Sequence, residues 1–139
     1  MLVVNQYWGC GHMKKILLID DSDTYTWCLQ KYLQRRGYPV ETASTLKEAR
    51  TAIQEEMPLV ICCDLDLPDG SGMDFLDEVR VADKELPFIL VSCHDKEDYE
   101  QEAEQRGATL CMDKISCFSS SFSGFPAAIT SCSVNSESK

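Results

Sequence analysis

The sequence predicts an α/β fold, a parallel β-sheet of five strands covered by helices on both faces. From Lys14 onward, short apolar runs of strand length alternate with stretches of helical spacing. That β-α-β order implies right-handed crossovers and a parallel sheet. The clearest runs, KILLID (residues 15–20) and LVICCD (59–64), are continuously apolar, as strands buried on both faces are. With 139 residues the chain can build one domain with a core but not two ordinary ones.

The elements follow in order. A polar break, DSDT, separates KILLID from TYTWCLQKYLQRR, where Cys28, Leu29, Tyr32 and Leu33 fall at helical spacing and Gly37 supplies a stop. YPVETA reads as the second strand. In TLKEARTAIQEE, Thr45 and Glu48 form a capping-box pattern, and Leu46, Ala49 and Ile53 mark one face. LVICCD leads through the turn-rich PDGSG into the helical MDFLDEVRVA. PFILVSC is the fourth strand. DKEDYEQEAEQR is a charged helix with Tyr99 and Ala103 turned inward; Gly107 ends it, and ATLCMD is the fifth strand.

Composition narrows the class. The chain is 44% hydrophobic and 26% charged, as soluble globular proteins are. Its net charge of −10 argues against nonspecific binding to nucleic acid or anionic membrane, which needs a basic face. No apolar run approaches the ~20 residues of a membrane span. The eight cysteines include no CxxC pair of the zinc-site kind, and Cys62 and Cys63 are adjacent. Several lie in apolar runs (ICCD, LVSC, TLCM), where a reduced thiol behaves as a small hydrophobe, and this implies a reducing, cytoplasmic setting. His12 near Cys10 is a weaker hint of metal. Residues 1–12 lack the basic region of a signal peptide and read as an extension before a domain over 13–118.

Such a sheet binds its ligands outside the carboxyl ends of its strands. There the sequence places Asp20 and Asp21 after strand one, Asp64 at the end of strand three, Ser92 at the end of strand four and Lys114 at the end of strand five. Three crowded carboxylates repel unless a cation neutralises them, and an all-oxygen site suits a hard ion such as Mg²⁺. Asp21 and Asp64 are the expected direct ligands, Asp20 acts through water, and the backbone carbonyl of Asp66 completes the set. A carboxylate is also a competent nucleophile towards phosphorus when the incoming charge is balanced, here by the cation and Lys114. Ser92 could then hydrogen-bond the transferred group. Each residue alone has an ordinary reading: Asp20 and Asp21 as a helix N-terminus, Asp64 as turn chemistry, Lys114 as a solvated charge. Their convergence on one edge from separate elements favours the functional one.

ILLIDDSD, VICCDLDLPDGSG, ILVSC and GATLCMDK together resemble the response-regulator receiver domain of two-component systems, over about residues 14–116. The resemblance implies a flavodoxin-like doubly wound sheet of strand order 2-1-3-4-5. It makes Asp64 the phosphoacceptor for a sensor histidine kinase or phosphotransfer protein, with Mg²⁺ required, Asp20 and Asp21 the acidic pair, Ser92 the switch hydroxyl and Lys114 the basic residue. Asp66 and His94 fall at positions that tune phosphate lifetime. Two positions depart from the pattern. Cys111 stands where an aromatic usually reports phosphorylation by rotating, and Ile115 replaces a frequent proline.

In the tail, Ile115, Phe118, Phe122 and Phe125 keep helical spacing, but the serines, Gly124 and Pro126 are poor helix material. The expectation is a short last helix to about Phe125 within a Ser-rich tail over 119–139, with a truncated or frameshifted end as the alternative. A DNA-binding output domain has no room, so signalling is expected through protein–protein contact with a downstream protein the sequence does not name. Two rival readings stay open. Asp64-Leu65-Asp66 also matches the nucleophile motif of phosphatases resembling the haloacid dehalogenase family, although their nucleophile lies on the first strand and their acidic pair comes late. The other is a degenerate receiver that takes no phosphate and serves only as an interaction module, which Cys111 and the tail favour and the complete acidic set opposes.

Overall fold

The computed structural model describes residues 14–93 and 95–114. The N-terminal extension with Cys10 and His12, the residue His94, and Ile115 with the expected last helix lie outside the described residues.

Five parallel strands form the sheet: β1 (Ile16–Ile19), β2 (Val40–Ala43), β3 (Val60–Asp64), β4 (Phe88–Ser92) and β5 (Leu110–Asp113), in the order β2-β1-β3-β4-β5. The three central strands are buried at every position, which explains their unbroken apolar sequences. Their side chains alternate between two cores. Ile16, Leu18, Val60, Cys62, Ile89 and Val91 face α1 (Asp23–Arg35) and its Tyr25, Leu29 and Leu33. Leu17, Ile19, Ile61, Cys63, Phe88 and Leu90 face the other side. There they meet α2 (Leu46–Glu55), α3 (Gly72–Ala82) and the start of α4 (Glu100–Arg106).

Helix starts follow local chemistry. Ser22 caps α1 by accepting from Tyr25 N–H, and Ser71 caps α3 by accepting from Met73 N–H. At α2 the Thr45 hydroxyl accepts from Glu48 N–H at 3.1 Å, while Glu48 reaches one residue beyond the cap to Ser44 N–H at 2.8 Å. The buried face of α2 is Leu46, Ala49 and Ala52, with Ile53 only partly buried.

The structure departs from the sequence reading in three places. The charged stretch before β5 is not one helix: a 3₁₀ turn, Lys96–Asp98, precedes a seven-residue α4. Between them Tyr99 leaves helical geometry (φ −134°, ψ −6°) to bury its ring and donate its hydroxyl to Met112 O at 3.2 Å. The segment PDGSG belongs to a small hairpin in which Asp66–Leu67 pairs antiparallel with Gly70–Ser71. Cys93 is exposed because it lies one residue past β4, whereas Cys62, Cys63 and Cys111 are buried as small apolar groups.

Candidate functional site

Parallel pairing builds the site. Ile19 pairs with Cys63, so Asp20 and Asp64 lie side by side as the chain leaves β1 and β3. Asp64 pairs with Val91, which places Ser92 one step further along the same edge. Ser92 in turn pairs with Asp113, so Lys114 emerges next to it. The five residues that the sequence singles out therefore gather at one end of the sheet.

Asp20, Asp64 and Ser92 are buried, and Asp21 is exposed. The Asp20 carboxylate accepts from Ser22 N–H at 2.8 Å, which shapes the turn into α1. Lys114 Nζ lies 2.7 Å from Asp20 Oδ2 and 3.6 Å from Asp64 Oδ2, and 4.7 Å from the centre of the Tyr25 ring, a cation–π arrangement. The lysine thus sits nearer Asp20 than Asp64. Burial opposes its charge, but the hydrogen bond it donates to Asp20 and the fields of Asp20 and Asp64 outweigh it, and its pKa is raised. Burial, followed by the neighbouring Asp20 charge, pushes the Asp64 carboxyl up to about 6. Lys114 and the backbone amides of Asp66 and Leu65 only partly offset that rise.

Asp20, Asp21 and Asp64 each offer a carboxylate oxygen, and these oxygens all lie within 4.8 Å of one another. An all-oxygen, largely anionic donor set fits a hard divalent cation such as Mg²⁺ and fits soft metals poorly. Gly72 permits the close packing beneath it: a Cβ there would stand 2.2 Å from Asp64 O. Asp66 is exposed in the hairpin that follows. Cys111 is buried on β5, so that strand carries no aromatic at this position. The Tyr99 ring enters the same buried cluster from the turn before α4.

One contact has no signal in the local sequence. Asp69, at the hairpin tip, accepts from Leu46 N–H at 2.8 Å and Lys47 N–H at 3.1 Å. The Leu46 amide foremost holds the Asp69 carboxyl below its ordinary value. Its partners lie more than twenty positions away in the chain, beyond the reach of any local pattern.

Carboxylates at the carboxyl edge of a 2-1-3-4-5 parallel sheet, with a lysine between them, define a receiver-type phosphotransfer domain. The chain belongs to the response regulator receiver domain family, whose sequence model matches residues 16–118. It is similar to the alkaline phosphatase synthesis transcriptional regulatory protein PhoP of Bacillus subtilis, with 34% identity over 60% of this chain and 35% of that protein. It is similar also to the transcriptional regulatory protein KdpE of Staphylococcus aureus, with 35% identity over 72% of this chain and 43% of that protein. The chain therefore spans less than half the length of these two regulators. Among solved structures, the beryllofluoride-activated NtrC4 receiver domain dimer superposes with a TM-score of 0.79 at 29% identity, covering 88% of this chain and 98% of that one. Phosphorylation on Asp and Mg²⁺ are typical of this family, and neither the degenerate-receiver nor the phosphatase reading is favoured. No helix among the described residues is long and apolar enough to cross a membrane.

Proposed function

We propose that Asp64 accepts a phosphoryl group from the phosphohistidine of a sensor histidine kinase or phosphotransfer protein, and that the chain signals the event by protein–protein contact. The observation that carries this reading is the Lys114 ammonium, 2.7 Å from Asp20 and 3.6 Å from Asp64, at the edge where three carboxylates converge.

The Asp64 carboxyl, raised to about 6 in the metal-free chain, is mostly ionised at neutral pH, and a carboxylate is a competent nucleophile towards phosphorus. An Asp64 oxygen attacks phosphorus and forms the O–P bond. The P–N bond of the donor breaks, and its electron pair leaves on the imidazole nitrogen, which takes up a proton. Water attacking the phosphorus of the resulting acyl phosphate restores the carboxylate and releases inorganic phosphate. The receiver supplies the groups for both steps, so it catalyses its own phosphorylation and dephosphorylation. Asp21 and Asp64 would ligate Mg²⁺ directly, Asp20 through water, and Asp66 through its backbone carbonyl. A Mg²⁺ ion held there would supply positive charge against the carboxylates and the phosphoryl oxygens. Lys114 balances the remaining charge, and the Ser92 hydroxyl donates to the transferred group, drawing on the segment between β4 and α4. Asp66 and His94 tune the lifetime of the acyl phosphate. The buried cysteines Cys62, Cys63 and Cys111, none of them in a disulfide, support a reducing, cytoplasmic setting.

Incubation with phosphoramidate and Mg²⁺, followed by intact-mass measurement, tests the reading. The expected result is one phosphoryl adduct, absent in Asp64→Asn and absent in excess EDTA. Sustained turnover of a phosphomonoester would favour a phosphatase, and no adduct at any Mg²⁺ concentration would leave an interaction module.

A further inference from the structure

The hairpin after β3 is pinned at both ends. At its base Gly72 N–H donates to Leu65 O at 2.8 Å, and Gly72 packs against the Asp64 carbonyl. At its tip both Asp69 oxygens hold amides of α2, those of Leu46 and Lys47. A helix leaves its first N–H groups without intrahelical partners, and here each of the first three has a side-chain acceptor. Asp69 takes Leu46 and Lys47, and Thr45 Oγ1 takes Glu48. Helix α2 thus has a local cap of its own, and the second cap comes from a distant loop. Behind Gly70 the fit is tight, since a Cβ there would stand 2.9 Å from Leu46 Cδ1. Asp66, which the receiver reading assigns to the cation through its carbonyl, lies between the two pins.

We propose that Asp69 is a positioning residue for the metal site: by docking the hairpin tip on the first turn of α2, it holds the Asp66 carbonyl in place for a cation bound at Asp21 and Asp64. This rests on the receiver reading, in which Mg²⁺ occupies that cluster. Asp69 makes no contact with the cation. Its carboxylate is engaged by amides, and its effect passes through the backbone of residues 66–69. The first turn of α2 and the metal loop then move as one piece.

Calorimetric Mg²⁺ titration of the unphosphorylated chain tests this with Asp69→Ala, Asp69→Asn and Thr45→Ala. Asp69→Ala is expected to weaken Mg²⁺ roughly tenfold, the scale on which residues that orient metal ligands act. Asp69→Asn keeps one acceptor oxygen and recovers most of that loss. Thr45→Ala removes the neighbouring cap of the same helix, so it lowers Tm much as Asp69→Ala does but leaves Mg²⁺ affinity at the wild-type value. With phosphoramidate, Asp69→Ala shifts the Mg²⁺ concentration for half-maximal rate and keeps the saturated rate. Wild-type Mg²⁺ affinity in Asp69→Ala, or equal weakening in Thr45→Ala, would overturn the proposal. Should Asp69→Ala fail to fold, Asp69→Asn carries the test with a smaller but measurable weakening. A wild-type chain that binds no Mg²⁺ overturns the receiver reading and this proposal together.

Discussion

At the scale of residues, Asp64 carries the main conflict between stability and function. Its carboxyl titrates at about 6, against 3.8 for the unperturbed group. In the metal-free protein the folded state therefore binds this proton more tightly than the unfolded state does. Stability from this group falls as pH rises from about 4 to about 6, and the deficit persists above that range. Asp64→Asn in EDTA is accordingly expected to be more stable than wild type at pH 7, with the gap closing below pH 4. Urea unfolding across that range checks it, and a variant less stable than wild type at pH 7 would contradict the assigned electrostatics. The convergence of Asp20, Asp64 and Lys114 on one edge could be read from sequence because strand ends converge by rule. That Lys114 pairs more closely with Asp20 than with Asp64 could not, since both carboxylates sit at the same strand edge and only the folded geometry separates them.

At the scale of elements, the junction of β3 and α3 is the tightest place near the site. A Cβ on Gly72 would meet the Asp64 carbonyl at 2.2 Å, against backbone that cannot yield cheaply. Gly72→Ala should cost about 2 kcal/mol or more and displace the end of β3, seen as a lowered Tm with weakened Mg²⁺ response; unchanged values in both would remove this constraint from the account. Strands β1, β3 and β4 were legible because burial on both faces leaves apolar residues up to the polar Asp64 and Ser92 that end β3 and β4. The two-residue strands of the hairpin are too short to show any period. The stretch before β5 misled for a different reason. Its glutamates and glutamines favour a helix, but Tyr99 leaves helical geometry, burying its ring and bonding Met112 O. Tertiary packing overrode local propensity there.

At the scale of the whole molecule, a net charge of −10 and three converging carboxylates make a divalent cation stabilising. Millimolar Mg²⁺ should raise Tm by several degrees through preferential binding to the folded state, and Asp21→Asn should blunt the response; an identical Mg²⁺ dependence in that variant would remove Asp21 from the ligand set. The parallel sheet, the helices on both faces and the shared strand edge followed from the alternation of elements, and the strand order from the family resemblance. The docking of Asp69 on α2 required the folded chain. The claim that most needs a direct answer is which atom takes the phosphoryl group. Borohydride reduces an acyl phosphate to an alcohol, so reduction of the phosphorylated protein followed by peptide mass mapping reads the acceptor. The account predicts homoserine in place of Asp64 and at no other position; reduction at another carboxylate, or phosphate retained on Ser92 or a histidine, would contradict it.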